Sequence, residues 1–340
     1  RQKFSVQPEG GHWILTALFF GLAIGQMIFG PLSDTIGRKP TIYLGMMIFT
    51  IGSLLSYFAS EYWVFILGRI VQGFGVAAPR IVSQAIIRDV ASGPTLARVN
   101  SFVMTVFIAV PVFAPIVGQI IIWSISWDFI FLALIIYCST LILIFKIKIN
   151  ETLSKPRKFD FSIVFFDCAK VFSNRITFGF MVAIGCVFGC LISFLNIAQP
   201  LYQEVYKVGD QFALYFAGTA IIIGVASLLN AKLVGKIHID LIVGCALIWT
   251  WVWSAAFLVI AIKFESINLM LFLIFSALVF TPFGFLFSNL NAIAMEPMGQ
   301  IAGTASAIIA TVSNIIALSM GAISSYFFSD SPMPLMVVFL

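Results

Sequence analysis

Gly30-Pro-Leu-Ser-Asp34-Thr-Ile-Gly37-Arg38-Lys39-Pro40 separates two apolar runs, at roughly residues 13–29 and 41–59, each of a length that crosses a bilayer. A charged stretch this short between two such runs reads as a turn at the headgroups, where Arg38 and Lys39 stay in water. Gly30 and Gly37 read as points where the backbone can turn tightly. Asp34 can accept charge-assisted bonds from a nearby Arg or from a helix N-terminus.

Working outward, further apolar runs fall at roughly 62–87, 99–123, 126–145, 176–201, 212–234, 239–262, 266–290 and 300–328, and another opens near Pro334. Hydrophobic residues make up 61% of the 340, charged residues only 10%, and the mean hydropathy is +1.08. A soluble chain carries about 25% charged residues, so lipid must cover much of this surface. Only helices or closed barrels span lipid without stranding backbone polar groups. These runs are too long and too uniformly apolar for barrel strands. The expected class is an all-α membrane protein.

The net charge of +5 is distributed by topology. With residues 30–40 cytoplasmic, alternation puts thirteen basic residues on that side: Arg38, Lys39, Arg88, Arg98, Lys146, Lys148, Lys155, Arg157, Lys158, Lys170, Arg175, Lys232 and Lys236. Only Arg1, Lys3, Lys207 and Lys263 fall opposite. This is the positive-inside asymmetry, and it leaves no basic patch for nucleic acid.

Residues 146–175 (KIKINETLSKPRKFDFSIVFFDCAKVFSNR) form the longest polar interruption. Phe159, Ile163 and Phe166, mixed with Asp160, Asp167 and Lys170, read as a helix lying in the interface. The expected organisation is an N-terminal helical bundle over 1–145, a cytoplasmic linker over 146–175 and a C-terminal bundle over 176–340. Five apolar runs lie on each side of the linker. Six plus six follows if the first span is absent from this chain and the last is truncated, and transporters built of repeated halves bind substrate near the midplane.

Cys186 and Cys190 lie one helical turn apart, but with no third ligand near they read as packing residues, and no metal or cofactor is expected. No hydrolase, metalloprotease or phosphate-binding motif appears, so an enzyme is not expected.

Here a resemblance becomes specific. Residues 30–40 resemble the loop signature of the major facilitator superfamily, departing at Thr35 where a basic residue is usual. Gly68-Arg69-Ile-Val-Gln72-Gly73-Phe-Gly75 is similar to the fourth-span signature of that family, which implies a coupling role for Arg69, Gln72 and Gly73. Arg69 lies about 10 Å inside its run, a depth at which a charge faces the protein interior or snorkels. Arg80 is a second intramembrane charge with no motif of its own, and Arg88 and Asp89 read as a surface pair.

Pro111, Pro115 and Gly118 resemble the antiporter signature of drug exporters, with Ala114 and Gln119 where glycines are common. Residues 284–307 resemble the span ten to eleven junction of the Bcr/CflA branch of drug:proton antiporters.

The resemblance implies a secondary transporter, monomeric, in the bacterial inner membrane, exporting drugs or amphipathic small molecules in exchange for protons. An importer or dedicated metabolite exporter of the same superfamily is the alternative; a channel, receptor or intramembrane enzyme is remote. Polar or aromatic residues within spans, Gln26, Asn196, Gln199, Tyr202, Asn289 and Asn314, are the candidate substrate contacts. None of the fourteen acids reads as buried at membrane depth, so the coupling acid is expected upstream of Arg1.

Overall fold

The structure is a computed structural model that describes residues 10–90, 117–153, 161–264, 267–328 and 331–340, with single residues between 103 and 114. Most of these residues are helical; the only β pairing among them is a bridge between Val234 and Ile237. The helices are α1 (Gly10–Ile36), α2 (Arg38–Phe58), α3 (Tyr62–Val90), α4 (Phe129–Lys148), α5 (Phe161–Ser173) and α6 (Arg175–Pro200). They continue with α7 (Phe212–Leu233), α8 (Ile239–Lys263), α9 (Leu269–Phe280), α10 (Phe283–Met295), α11 (Ala302–Tyr326) and α12 (Met333–Val338).

Among the described residues, nine helical segments are long and apolar enough to cross a membrane. They match nine of the ten full runs read from sequence; most of the run at 99–123 lies outside the described residues. Large apolar side chains such as Trp63, Ile136, Leu143, Ile248 and Trp251 point outward, as lipid contact requires. This is an integral membrane protein.

The chain groups into two compact units. The first takes in residues Arg1–Phe102, Ile120–Phe178 and Met295–Ile315; the second takes in Val103–Gln119, Gly179–Ala294 and Ile316–Leu340. Helix α11 is therefore divided, its beginning grouping with α1–α5 and its end with α6–α10.

In the first unit α3 lies between α1 and α2, and small residues set the spacing. A Cβ on Gly73 would strike the backbone of Leu18 in α1. A Cβ on Gly52 would strike Gln72, and one on Gly75 would strike Phe49 of α2. Without side chains at these points the backbones approach closely, which is how helices gain packing energy in lipid, where no hydrophobic effect drives them together.

The second unit has an aromatic core. Phe257, Phe272, Phe275, Phe280 and Phe283 are buried together, and Phe339 seats edge-on against Phe280. Leu335 and Met336 of α12 are fully buried in the same core. Gly185 and Gly189 of α6 meet Ile316 and Met320 of α11, again small against large. Helix α6 ends in one wide turn, Leu201–Val205, directly after Pro200.

The stretch 30–40 is less of a loop than its composition implies. Helix α1 runs through Gly30 to Ile36 and α2 begins at Arg38. Only Gly37 breaks the helical path, at φ +105° and ψ 159°. Gly30 makes no turn, and a Cβ there would meet Ala307 at an ordinary 3.6 Å. The expectation of two glycine turns is corrected to one, because a single left-handed residue suffices to reverse the chain between two helices.

Candidate functional site: a charge clasp and a buried arginine

The joint at Gly37 carries a connected polar cluster. Arg38 is buried, and its Nη1 donates to Ser33 Oγ at 2.7 Å and Asp34 Oδ1 at 2.5 Å. Its Nε donates to Asp89 Oδ2, at the end of α3, at 3.0 Å. One guanidinium thus ties α1, α2 and α3 through two carboxylates, using the fork of donors that suits Arg to this task. Asp89, read with Arg88 as a surface pair, is exposed and bonds to Arg38, whose fixed fork offers it a partner within the unit; the Arg88 side chain lies outside what the structure describes. Thr152 Oγ1 adds a 3.1 Å bond to the same Asp89 oxygen.

Helix α2 starts without a side-chain cap of its own, since Gly37 has no side chain to offer. Glu151 supplies one from 113 residues away. Its Oε1 accepts the backbone N–H of Arg38 and its Oε2 that of Lys39, both at 3.0 Å. A Cβ on Gly37 would sit 2.7 Å from Glu151 Oε2, so glycine is needed for the carboxylate to approach as well as for the φ. Burial alone would raise the Glu151 carboxyl, but backbone donors at Leu153, Lys39, Arg38 and Thr152 outweigh it and hold it below the usual carboxylate range.

Lys39 completes the cluster by donating from Nζ to the carbonyls of Ile149 at 2.7 Å and Lys146 at 3.2 Å, at the C-terminal end of α4. A cation there satisfies open carbonyls and faces the negative end of the helix dipole. Asp34 itself meets Arg38, not a helix N-terminus; Glu151 has taken the latter place.

Arg69 sits half-buried within the first unit. Its Nη1 donates to Gln72 Oε1 at 2.5 Å, and Gln72 Nε2 donates on to Ser53 Oγ of α2 at 2.8 Å. Its guanidinium lies 5.8 Å from the ring centre of Phe131, a cation–π distance. Gly73, the next residue of the motif, is the point of closest approach to α1.

The other candidates separate by environment. Gln26 and Asn314 find each other within the first unit, Asn314 Nδ2 donating to Gln26 Oε1 at 2.8 Å while both are buried. In the second unit Asn196 donates to the carbonyl of Gly321 at 3.3 Å, and Gln199, exposed, contacts Gln203.

Asn289 is occupied by Asn230, the two amides exchanging bonds at 2.8 and 3.4 Å. Tyr202 is fully buried, stacked on Tyr215 with Phe272 against its edge. Both side chains contact adjoining helices of their unit. A Cβ on Gly118 would meet nothing within 4 Å, while Pro111 and Pro115 lie outside the described residues. Among the described residues no cluster of three His, Cys, Asp or Glu exists that would hold a metal, and all five cysteines are free.

A model of the Major Facilitator Superfamily matches residues 1–322. The chain belongs to that superfamily. It is 30% identical over 344 residues to the bicyclomycin resistance protein homolog of Haemophilus influenzae, a match covering 98% of this chain and 84% of that protein. It is 24% identical over 323 residues to multidrug resistance protein D of Escherichia coli, covering 92% and 77%. The solved structure of the xylose transporter XylE from E. coli superposes with a TM-score of 0.70 at 14% identity, covering 98% of this chain and 86% of that one. The fold is thus the all-α membrane fold of major facilitator transporters, and the likeness to the Bcr/CflA branch read from residues 284–307 agrees with the bicyclomycin relative.

Three members of the Arg38 clasp, Ser33, Glu151 and Thr152, and Ser53 beside Gln72 were not legible in the sequence. Glu151 read as one more acid outside the bilayer. The available signal was the uncapped start of α2, since a helix opening Gly-Arg-Lys has no side chain to satisfy its first N–H groups.

Proposed function

We propose that this major facilitator transporter is a proton-coupled exporter of drugs or other amphipathic small molecules, working as a monomer by alternating access in the inner membrane of a bacterium. The observation that carries the reading is the bridging of Asp34 and Asp89 by Arg38, with Glu151 capping α2 beside it. Alternating access moves groups of helices as rigid bodies. A clasp that binds the ends of α1, α2, α3 and α4 makes those helices move together, and its making or breaking at the headgroups biases one conformation. The relatives named for resistance to bicyclomycin and to multiple drugs support the substrate class and the outward direction.

In this reading residues 1–145 and 176–340 are the two moving bundles, joined through 146–175. Arg69, held by Gln72 and Phe131, is the electrostatic element of coupling, with Gly73 setting its helix close to α1. Pro111, Pro115 and Gly118 bend the antiporter-type span. Gln26, Asn314, Asn196 and Gln199 contribute polar contacts to substrate, with Tyr202 and Asn289 shaping the walls behind them.

The test is flux in proteoliposomes under an imposed proton gradient, using fluorescent amphiphiles of either charge. Gradient-driven movement of a probe, collapsing with a protonophore, is expected. Movement that ignores the gradient would remove proton coupling, and accumulation against the expected direction would reverse the export assignment.

A further inference from the structure

Arg80 has no place in the clasp or in the Arg69 cluster. It lies on α3, seven residues inside the end of the apolar span Tyr62–Ile87, or about 10 Å at 1.5 Å per residue. Its side chain is exposed, and among the described residues its guanidinium joins no hydrogen bond or ion pair. The acids on the neighbouring helices stand at helix ends: Asp34 and Asp89 in the clasp, Glu61 and Asp128 at the other side.

The packed and open sides of α3 differ near Arg80. Ile70, Phe74 and Ala77 face α1, where they meet Gly21 and Gly25; Gly68, Gln72, Gly75 and Ala78 face α2. Trp63, Val64 and Leu67, at the start of the helix, are exposed and apolar. The remaining side carries Arg80 with Ser83 and Gln84, all exposed and all polar. Arg69 lies on this side too, about 20° from Arg80 in projection and about 16 Å along the axis.

A polar exposed strip at membrane depth borders water or solute in preference to acyl chain. A cation on such a strip, with no carboxylate partner among the described residues, attracts an anion. Arg is also the side chain whose donor fork matches a carboxylate or phosphate in two parallel bonds.

We infer that Arg80, flanked by Ser83 and Gln84, is a binding station for the anionic group of an amphipathic substrate. Ser83 Oγ donates to the carbonyl of Arg80 at 3.2 Å, which keeps the strip polar within one helical turn of the guanidinium. The inference rests on the transport reading above and narrows its substrate class to molecules carrying a carboxylate or phosphate.

The test uses the purified full chain and two fluorescent amphiphiles with one apolar skeleton, one ending in a carboxylate and one in a tertiary ammonium. Binding is measured in detergent and flux in proteoliposomes. Wild type is expected to bind the carboxylate. Arg80→Gln is expected to weaken that binding about tenfold or more, the worth of one charged hydrogen bond, and to leave the ammonium probe unchanged. Arg80→Lys, which keeps charge but loses the fork, is expected to fall between, and gel filtration with thermal melting verifies that each variant is folded.

Equal loss of both probes in Arg80→Gln, unchanged carboxylate binding in Arg80→Gln, or a wild type that binds no carboxylate overturns the station. A wild type that binds the carboxylate in an Arg80-dependent way but carries nothing across the bilayer supports the station and overturns the transport reading instead.

Discussion

Glu151 caps a helix to which it is not adjacent in sequence: its two carboxylate oxygens accept the backbone N–H groups of Arg38 and Lys39, each at 3.0 Å. The end of α4 is thereby fastened to the start of α2 by main-chain bonds, while Lys39 returns the contact to the carbonyls of Lys146 and Ile149.

Removing that carboxylate in Glu151→Ala should lower stability by about 0.5–1 kcal/mol, the low end of capping effects because the group is exposed. The effect has a definite pH dependence. The folded carboxyl is held below its usual range, so its contribution is complete above the unfolded value of about 4.3. It is lost as pH falls through the lower folded value. Thermal melts in detergent should show a constant gap between wild type and variant from pH 8 to about 5, closing only in stronger acid.

Asp34 and Asp89 act through one guanidinium, so their removal should not be additive. Asp34→Asn should slow flux about tenfold, the worth of one charged hydrogen bond, while equilibrium substrate binding survives. Asp34→Asn with Asp89→Asn should cost clearly less than the two single effects combined. Additive rates from the four-member cycle would mean that Arg38 does not couple them.

Arg69→Ala should abolish gradient-driven flux while the protein still elutes as a folded monomer, because its guanidinium is held inside the unit by Gln72 and Phe131. Arg69→Lys should not restore it fully, since an ammonium cannot reproduce the planar contact with both partners. Normal flux from Arg69→Ala vesicles would assign the residue to anchoring alone.

Two glycines of the sequence motifs should respond in opposite directions. Gly73→Ala forces a Cβ into the backbone of Leu18 and should cost about 1–3 kcal/mol. Gly30→Ala meets only ordinary contacts and removes a flexible residue from the interior of α1, so it should be neutral or stabilise by about 0.5–1 kcal/mol. Melting temperatures of the two variants side by side check the contrast.

Asn289→Ala breaks the reciprocal amide pair with Asn230 and should destabilise by about 0.6–1.7 kcal/mol, the range of hydrogen bonds between helices in lipid. Probe affinity should hardly change, and Asn230→Ala, which also loses its bond to Ser288 Oγ at 3.0 Å, should lower the melting temperature at least as much. A selective loss of affinity in Asn289→Ala would return that residue to the substrate contacts.

The lipid-facing class, nine of the helices, their approximate ends and the motif at 30–40 were legible in the chain itself. Each depends on local quantities: how apolar a window of residues is, where glycine permits a turn, which side holds the basic residues. Arg69 was recognisable as an anomaly for the same reason, a charge where its window predicts none.

Partner choice was not legible, because it is decided by which helices pack together. Nothing near Arg38 in the chain names Asp89, 51 residues on, as its second carboxylate, or Glu151 as the cap of its helix. Gln26 and Asn314 stand 288 residues apart and Asn230 and Asn289 stand 59 apart, yet each pair forms a bond. Composition placed these polar groups in lipid, where a partner lowers the cost of burial; only the tertiary packing of the helices within each unit brought particular partners within reach.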